Sequence, residues 1–586
     1  MTKYTIATHG WCDNCNVPIL NEEVCGLCGT QSRVLALPYP SDIRPIYEQE
    51  RRVLFSVFNR DYGEEAAHSL LPSGMCFFND RSKTERSGDL VVDGRKIAFI
   101  HFDPKMLEWQ SHLHIDGAQV AGHTIPVFEC DGSLSLTIMA RTPIPSIWHG
   151  PYPETFVVSC GNALAIGKRK SSGLIEIKDA ALKETRSLSG SDLEKTLRAN
   201  ASHLEEKEKR AKEFLEKSLT SDKPVVVSFS GGKDSAAIFL LTRLVTDDFY
   251  VIFSNTGIEY PETVEYTHEF LAHYKFLDKL LEVYPLRSFW DLFDVFGPPS
   301  RRLRWCCKTC KFAPITNAYR KHFGNQKVLT VSGIRKYESQ IRLHRKRIEL
   351  NQPWILQQIS IHPILDWTYL DVWLYLLWKK APLNPLYELG LQRIGCWLCP
   401  MTPLGTFEIM KETHPQLVAE LYSKLRTWNK EQRHEVWVQC GLWRFRQASH
   451  MAHNFPVLRP CATDLTNYLS VPGTNSESVN YLKVFGEQTS QAGFTTIENK
   501  NQNLKIIYFK SGKIRIEAQN EEYFKPLVER QLLKSMLCIK CGTCQGNCSQ
   551  HAIDLSDGYF SVNSNCNHCL ECLGFECPGL QYNLEL

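Results

Sequence analysis

The chain has 586 residues, of which 43% are hydrophobic and 22% are charged, and its formal net charge is +3. These proportions are ordinary for a globular protein and exclude collagen-like, coiled-coil and wholly disordered chains. At about 150 residues per domain, the length predicts about four domains. The charge is too balanced to indicate a nucleic-acid partner by itself, so any basic surface has to be local.

The first residues, MTKYTIATHGWC, contain no apolar stretch of the kind found in a secretory signal. No run of 18 apolar residues occurs either, so we expect a cytoplasmic protein without a membrane span. Disulfides are rare in that compartment, and the 22 cysteines therefore indicate metal sites. Most of these cysteines fall into three groups, at positions 12–28, 306–399 and 538–577.

Residues 1–35 contain two CxxC pairs, each of which places two thiolates on one tight turn. Four thiolates on two such turns form a closed tetrahedral zinc site, so we predict a structural zinc ribbon. A redox dithiol is the alternative, but no βαβ pattern surrounds the pairs. The predicted zinc ligands are Cys12, Cys15, Cys25 and Cys28.

The next three segments are predicted to be accessory regions. Residues 36–74 are assigned to a helical linker, and residues 75–180 contain short strands such as KIAFIHF. The stretch ETFVVSCGNALAIGKRKSSG resembles the last strands of a PUA-like domain, a small β-barrel often used to bind RNA. A generic β-barrel that only positions its neighbours is the alternative. Residues 181–220 are charged and helix-prone, which is typical of a linker with a solvated face.

Residues 221–402 alternate between strand-like and helix-like segments, beginning with KPVVVSFS, DSAAIFLLTRLV and FYVIFSNTG. This βαβ pattern predicts an α/β protein whose parallel sheet has helices on both faces. Residues 403–454 are predicted to form a helical extension, and residues 455–534 a small α+β region.

The strand–turn–helix around SFSGGKDS is the sharpest functional signal in the chain. Its two glycines let backbone amides point at an anion, and the following helix contributes its positive N-terminus. The segment is therefore expected to hold phosphates, although it lacks the GxxxxGK[ST] of a Walker A loop. The expected phosphate-binding residues are Ser228, Ser230, Gly231, Gly232, Lys233, Asp234 and Ser235.

SGGKDS resembles the PP-loop of the ATP pyrophosphatases, which cleave ATP between its α and β phosphates or bind a related adenine nucleotide. Further motifs resemble those of phosphoadenosine-phosphosulfate (PAPS) reductases. They are FSNTGIEYPET at 253–263, GIRKYESQIR at 333–342, PILDWTYLDVW at 363–373 and NPLY at 384–387. The resemblance implies a parallel core like that of the adenine nucleotide α hydrolases, with ATP or a related nucleotide bound together with Mg.

The same resemblance implies roles for individual residues. Lys233, Asp234, Arg335 and Arg342 are the implied catalytic residues, with the two arginines facing phosphate or sulfate oxygens. Asn255 stands where the family has Asp, which leaves the choice of nucleotide open. Further implied nucleotide contacts are Asn255, Thr256, Gly257, Gly333 and Arg335.

Two central cysteine motifs, RWCCKTCK and IGCWLCP, lie about 90 residues apart. They resemble the CC…CxxC that ligates a [4Fe–4S] cluster in adenosine-phosphosulfate-type reductases, and zinc is the alternative metal. Cys310 leaves a second ligand set open, in which Cys307 and Cys310 act with Cys396 and Cys399. If it is not a ligand, Cys310 is a leftover thiol beside Arg and Lys, so we expect it to have a lowered pKa and to be a candidate persulfide carrier. The implied ligands are Cys306, Cys307, Cys396 and Cys399.

Residues 535–586 contain CxxCxxCxxxC followed by CxxCxxCxxxxCP. The pattern resembles a bacterial two-cluster ferredoxin, an α+β module in which the fourth cysteine of each run ligates the other [4Fe–4S] cluster. Ser549 replaces the usual Pro, and the second run is one residue longer. The implied first set is Cys538, Cys541, Cys544 and Cys577, and the second set is Cys566, Cys569, Cys572 and Cys548.

A nucleotide site and an electron-transfer module on one chain favour two functions. In the first, the protein reduces PAPS or its analogue to sulfite with electrons from the ferredoxin module. Such reductases use a nucleophilic cysteine in an ECG[IL]H-like segment, and the nearest match here, QCGLW with Cys440, lacks the Glu and the His. A structural role for Cys440 is the alternative.

In the second function, which we favour, ATP adenylylates a nucleic acid, and a partner cysteine desulfurase supplies sulfur. The chain resembles PAPS-reductase-like ATP pyrophosphatases of DNA phosphorothioation (Dnd and Ssp) systems, and archaeal relatives with a zinc ribbon, a PUA-like domain and a ferredoxin tail. The basic segments 301–304 and 342–347 fit DNA or tRNA as a partner. An external electron donor is also implied. The alternatives are tRNA thiolation and a redox-sensing nucleic-acid-binding module.

Overall fold

A computed structural model gives the architecture of the chain. It describes residues 9–20, 23–82, 85–122, 127–129, 144–145, 155–169, 174–350, 353–428, 435–446, 459–460, 468–471, 473–555, 557–574 and 577–582. Across these ranges, no helix combines the length and the apolar character that crossing a membrane requires.

The centre of the molecule is a six-stranded, mainly parallel sheet. Its strands are β1 (Val225–Ser228), β2 (Tyr250–Ser254), β3 (Leu280–Val283), β4 (Val328–Val331), β5 (Ile348–Glu349) and β6 (Gln358–Ile361). The spatial order is β3-β2-β1-β4-β6-β5, and every neighbouring pair is parallel except β5 and β6. Its main helices are Lys233–Arg243, Pro261–His273, Phe289–Phe296, Ala313–Phe323 and Tyr369–Trp378. The prediction of an α/β protein with a parallel core is therefore confirmed.

The N-terminal part of the chain forms two antiparallel sheets. The first contains Gly10–Cys12, Val17–Ile19 and Arg33–Val34. The second contains Ile43–Pro45, Phe77–Ser82, Ser87–Val92, Arg95–Asp103 and Glu108–Leu113. The helices Glu48–Tyr62, Glu64–Leu70 and Ile115–Ala121 share its hydrophobic core. We call residues 43–122 the β-rich module.

The segment expected to be only a helical linker, residues 36–74, contributes a strand to the β-rich module. Ile43–Pro45 pairs with Phe77–Ser82 in an antiparallel ladder. A strand of three residues is too short to show an alternating pattern, so the sequence carries no period by which to recognise it. The two helices after it are part of the same folded unit and do not form a free connection.

A further sheet follows the β-rich module. Its strands are Val127–Glu129, Ile144–Pro145, Thr155–Cys160, Ala163–Arg169 and Leu174–Leu182. The stretch that resembles a PUA-like domain supplies an antiparallel pair, Thr155–Cys160 with Ala163–Arg169. Residues 154 and 170–173 of that stretch lie outside the described part of the chain. The PUA-like assignment stays a prediction, since strand pairing alone does not distinguish it from other small β domains.

The charged segment 181–220 forms the helices Leu193–Ala199 and Ala201–Ser218. The longer helix buries Leu204 and Leu215 in the same hydrophobic core as the central sheet. His203 Nε2 also lies 2.7 Å from Oδ1 of the buried Asp371. The segment therefore carries charges on its solvent side and packs on the central domain with its apolar side.

The C-terminal third begins with the helices Leu404–Thr413, Pro415–Trp428 and Glu435–Gln439. A sheet then contains Arg459–Pro460, Leu469–Ser470, Glu487–Gln491, Phe494–Asn499, Leu504–Phe509 and Lys513–Ala518. It is accompanied by the helices Ser478–Leu482 and Glu521–Leu537. The cysteine-rich end contains the helix Thr543–Gly546, the strands Ile553–Asp554 and Ser561–Val562, and the helix Pro578–Tyr582. This end docks on the central domain, where Arg320 Nε donates to the carbonyl oxygen of Gly546 at 3.1 Å.

Candidate nucleotide and metal centres

The glycine loop lies where the order of the central strands reverses, between β1 and β4. Open parallel sheets bind ligands at this point, outside the carboxyl ends of the strands. Gly231 has a φ of +71°, and a Cβ added there would lie 2.6 Å from Cγ2 of Thr263, so a side chain is excluded. Gly232 is the N-cap of the helix Lys233–Arg243. The loop therefore presents backbone amides and a helix N-terminus to the crevice, as an anion site requires.

The two serines of the loop face each other across it. The Ser235 hydroxyl donates to the carbonyl oxygen of Gly232 at 2.7 Å, and the Oγ atoms of Ser230 and Ser235 are 3.5 Å apart. Ser228 ends β1 immediately before the loop. All the loop residues that the motif marks as phosphate-binding thus lie on one strand–turn–helix unit.

A chain of ion pairs connects the loop to the segment after β4. Asp234 Oδ2 lies 2.6 Å from Nζ of Lys233, and Asp234 Oδ1 lies 2.6 Å from Nε of Arg335. Burial lowers the pKa of Lys233 to about 8, although the Asp234 carboxylate opposes this shift. Burial acts to raise the pKa of Asp234, but the charges of Arg335 and Lys233 outweigh it and hold that pKa well below its usual range. Gly333 lets the segment after β4 approach Asp234 closely, because a Cβ on residue 333 would lie 2.9 Å from the Asp234 backbone.

Asp42 is a charged residue of this site that the sequence analysis missed. Its Oδ1 accepts a hydrogen bond from the backbone N–H of Tyr369 at 2.6 Å, and its Oδ2 lies 3.5 Å from Nη1 of Arg335. Burial raises the pKa of Asp42 to about 6, and the Arg335 charge opposes this rise. The ring of Tyr369 lies 4.0 Å from Nζ of Lys233, so aromatic and acidic groups surround both cations. Asp42 stands far from the loop in sequence and belongs to no motif.

The segment after β2 connects the nucleotide loop with the central cysteines. Asn255 Nδ2 donates to Glu282 Oε1 at 3.1 Å, and Asn255 Oδ1 accepts the Gly257 N–H at 3.2 Å. The Thr256 hydroxyl donates to Glu259 Oε1 at 2.8 Å and lies 3.7 Å from Sγ of Cys396. The predicted nucleotide residues of this segment therefore lie directly beside one of the predicted cluster ligands.

The structure brings together the four cysteines of the first predicted central set. Cys306 and Cys307 begin a π-helical turn, Cys307–Phe312, that leads into the helix Ala313–Phe323. The pKa of Cys306 lies well above its usual value. The largest cause is the Cys307 thiol, followed by burial and by the charges at Cys396 and Cys399. The four groups therefore lie within electrostatic reach of one another. An all-thiolate set beside basic residues fits an iron–sulfur cluster.

Cys310 is more deeply buried than the four cysteines of this set. It is fully buried, and its Sγ is 3.5 Å from the hydroxyl oxygen of Thr309. Burial raises the pKa of Cys310 to about 12, so the expectation that neighbouring Arg and Lys lower it is wrong. Charged neighbours in the sequence do not lower the pKa of a thiol whose side chain is buried in an apolar core, because burial disfavours the thiolate.

Arg393 is a second residue of the site that sequence reasoning missed. It is exposed and immediately precedes Ile394, whose Cβ would lie 3.7 Å from a Cβ on Gly232 of the nucleotide loop. Burial lowers the pKa of Lys233, and the Arg393 charge adds to this shift. Burial raises the pKa of Cys399, and the Arg393 charge opposes that rise. Among the described residues, no acidic side chain forms an ion pair with it. Arg393 therefore offers an unpaired cation between the nucleotide loop and the cysteines.

Arg342, the last predicted catalytic residue, lies near Arg393. We call the edge of the nucleotide crevice that contains these two arginines the rim. Arg342 forms an ion pair with Glu338. Burial lowers the pKa of Arg342 to about 10, and the nearby Arg393 acts in the same direction. The pairing with Glu338 means that Arg342 is held at the rim rather than pointing at the loop as a free side chain.

The four N-terminal cysteines form a compact cluster. All four sulfur atoms lie within 4.8 Å of one another. Cys12 Sγ is 3.5 Å from Cys28 Sγ, and Cys25 Sγ is 3.8 Å from Cys15 Sγ. Four thiols at these distances, supplied by two tight turns, fit a closed tetrahedral metal site.

Two cavities near the C-terminus are each surrounded by four cysteines. The cysteines that line the first cavity are Cys538, Cys541, Cys544 and Cys577. The cysteines that line the second are Cys548, Cys566, Cys569 and Cys572. The crossed arrangement, in which each run lends its fourth cysteine to the other cavity, is the arrangement of a two-cluster ferredoxin. The four thiols around each cavity fit the donor set of an iron–sulfur cluster.

The fold and the glycine loop define a PP-loop protein of the α/β class. A family model for the "Phosphoadenosine phosphosulfate reductase domain" matches residues 224–402. The uncharacterized protein MJ0973 of Methanocaldococcus jannaschii is 33% identical over 368 residues, which cover 61% of this chain and 86% of that protein. The chain belongs to the same family as MJ0973, and its residues 224–402 match the PAPS reductase domain model.

Two comparisons name an activity. The adenosine 5'-phosphosulfate reductase of Bacillus cereus is 28% identical over 183 residues, which cover 31% of this chain and 74% of that enzyme. Among solved structures, the phosphoadenylyl-sulfate reductase of Candida auris matches with a TM-score of 0.27 and 20% identity, covering 34% of this chain and 96% of the other. The sequence of the central domain is similar to that of the B. cereus enzyme over these 183 residues.

Proposed function

We propose that the protein is an iron–sulfur enzyme of sulfur metabolism that adenylylates a nucleic acid with ATP and directs sulfur to the activated group. One observation carries the proposal. The segment 393–399 packs against the nucleotide loop through Ile394 and also supplies Cys396 and Cys399. A nucleotide whose phosphates lie on the loop amides would therefore have its reacting end next to the cysteines.

The rim of the site supports a nucleic-acid acceptor. Arg393 provides a positive charge there without an acidic partner among the described residues, whereas Arg342 and Arg345 are paired with Glu338 and Glu349. A backbone phosphate at the rim could therefore take the charge of Arg393 in full. The β-rich module adjoins this rim, because Gln392 Nε2 donates to Asp80 Oδ1 at 3.0 Å. A polyanion bound at the rim would thus also lie against a second folded unit.

The proposed reaction starts with attack of an acceptor oxygen on the α phosphorus of ATP, which releases pyrophosphate and leaves AMP on the acceptor. Lys233 and Arg335 would hold the phosphates and offset their developing charge, with Mg accompanying the nucleotide. Asp234 would keep the two cations in place, since it bonds to both.

Sulfur would then replace AMP. A persulfide supplied by a partner cysteine desulfurase attacks the activated group, AMP leaves, and two electrons cleave the remaining sulfur–sulfur bond. The clusters that the C-terminal cysteine sets would hold supply single electrons at low potential, ultimately from an external donor. The N-terminal cysteines would hold a structural zinc ion.

Reduction of a sulfonucleotide to sulfite is the second candidate function. The observation that favours it is the similarity to the B. cereus adenosine 5'-phosphosulfate reductase, which covers 74% of that enzyme. That reaction would use the same cation pair on the sulfonucleotide phosphates. Its cysteine nucleophile would be Cys440, at the end of the helix Glu435–Gln439.

One anaerobic experiment distinguishes the two functions. Pyrophosphate release from ATP is measured without nucleic acid, with duplex DNA and with tRNA, and sulfite formation is measured from adenosine 5'-phosphosulfate or PAPS with a reduced donor. Release that rises with DNA or tRNA and disappears in Lys233→Ala supports adenylylation and identifies the acceptor class. Sulfite formation without pyrophosphate release would replace this proposal by the second candidate. The exposed Lys223→Ala is the matched control.

A further inference from the structure

A buried lysine lies between the two C-terminal cavities. Lys534 is 4% exposed and stands on the last turn of the helix Glu521–Leu537, four residues before Cys538. Its side chain lines the first cavity, and one turn earlier on the same helix Arg530 Nη1 donates to the carbonyl oxygen of Leu573 at 3.0 Å, next to Cys572 of the second cavity. The lysine therefore has both four-cysteine sets as neighbours.

The surroundings of Lys534 contain no acidic partner within the described ranges. A fully buried lysine is rare unless it is paired. The ring centroid of Phe560 lies 5.2 Å from Nζ, and Phe560 stacks on Tyr481 with ring centroids 4.2 Å apart. The groups left to balance the ammonium charge are the cysteine thiols themselves.

A cysteine that ligates iron is a thiolate, so each occupied four-cysteine site would place negative charge beside this lysine. Such negative charge favours the ammonium form of a buried lysine. A fixed positive charge in a low-dielectric interior acts strongly on any negative charge beside it.

We propose that Lys534 tunes the reduction potential of both clusters by holding one positive charge between the two cysteine sets. The inference rests on the proposed iron–sulfur role of these cysteines. Each cluster gains one electron on reduction, and cluster net charge is one of the factors that set the potential. A cation shared by both sites favours the reduced form of each, most strongly in the first cavity, which Lys534 lines directly.

The test is an anaerobic redox titration of the full-length protein with dithionite, followed by electron paramagnetic resonance. Lys534→Met removes the charge and keeps the length of the side chain. We expect both midpoint potentials to become more negative, with the reduction equilibrium constant falling at least tenfold for one cluster, which is 59 mV for one electron. Lys534→Arg keeps the charge and should stay close to wild type. Lys510→Met removes an exposed charge from a neighbouring strand end and should change neither potential.

The outcomes separate charge from shape. Unchanged potentials in Lys534→Met, with full iron content, overturn the proposal. If Lys534→Met loses iron, Lys534→Gln serves as the second neutral variant. Iron loss in both neutral variants but not in Lys534→Arg supports the role of the charge, whereas iron loss in Lys534→Arg as well overturns it.

The same titration also separates this proposal from the proposed function. A wild-type protein that holds no iron after anaerobic reconstitution overturns the iron–sulfur role and the tuning role together. If wild type contains two reducible clusters and their potentials are the same in Lys534→Met, the tuning role alone is overturned. Pyrophosphate release from ATP is measured separately and depends on neither outcome.

Discussion

Asp42 Oδ2 lies 3.5 Å from Nη1 of Arg335, although 293 positions separate the two residues in the chain. The contact brings the region before the β-rich module into the nucleotide site. Arg335 is almost completely buried and also pairs with Asp234. A phosphate that binds Arg335 therefore has to share its guanidinium with two carboxylates, so the N-terminal region sets the net charge of the site.

Asp42 should make stability fall with rising pH. Burial raises its pKa to about 6 from the ordinary 3.8, so the folded protein binds more protons than the unfolded chain between about pH 4 and pH 6. The contribution of the neutral carboxyl to stability is therefore lost as the pH rises through that window, by roughly 3 kcal/mol at most. The side chain in Asp42→Asn does not ionise, so the stability of this variant should not show this loss between pH 4 and pH 6.

The measurement is the thermal midpoint of wild type and Asp42→Asn at pH 4.5 and pH 7. The thermal midpoint of Asp42→Asn, relative to that of wild type, should be higher at pH 7 than at pH 4.5. Parallel changes in the two proteins would show that Asp42 is not the group responsible. The exposed Asp222→Asn is a control that should follow wild type at both pH values.

Lys233 should give ATP cleavage a pH limit. Burial lowers the pKa of Lys233 to about 8, so the free protein loses this phosphate-binding charge as the pH rises through that value. Because kcat/KM reports ionisations of the free enzyme, kcat/KM for ATP should decline above about pH 8. Lys233→Arg keeps a charge throughout and should remove the decline even if its activity is lower. A decline that is the same in both proteins would assign it to another group.

Local patterns account for what the sequence predicted correctly. The βαβ period marks the parallel sheet, and the phosphate loop consists of adjacent residues whose roles follow from one turn and one helix end. The sets around the C-terminal cavities likewise follow from short spacings. In these cases the chemistry depends on neighbours within a few positions of each other, which a sequence displays directly.

Long-range packing accounts for what was missed. Asp42 enters the site only because Ile43–Pro45 joins a sheet, and nothing in its neighbourhood distinguishes it from other surface acids. Arg393 is one of 67 basic residues, and only the contact of Ile394 with the nucleotide loop gives it a role. For Cys310, the local charge pattern predicted a lowered pKa, but burial in the core decides the direction.

We expect Cys396 to ligate the central cluster and Cys310 not to ligate it. Cys396 lies 3.4 Å from Glu259 Oε1 and 3.7 Å from the Thr256 hydroxyl, beside the nucleotide segment, whereas Cys310 is enclosed in the hydrophobic core. Cys396→Ser should therefore lose one cluster's share of iron, and Cys310→Ala should keep it. Iron and acid-labile sulfide per protein are measured after anaerobic reconstitution. Iron loss in Cys310→Ala together with retention in Cys306→Ala would establish the other ligand set.

Arg393 should determine how strongly a nucleic acid stimulates the enzyme. It is exposed and has no acidic partner among the described residues, so a phosphate at the rim can take its full charge. Arg393→Ala should weaken nucleic-acid binding and reduce the slope of log K against log salt by about 1, since one phosphate contact is lost. Basal pyrophosphate release should change less than the stimulated rate. Arg243→Ala, on the far end of the helix that follows the nucleotide loop, removes an equal charge and should leave the slope unchanged. An unchanged slope in Arg393→Ala would place the nucleic acid elsewhere on the protein.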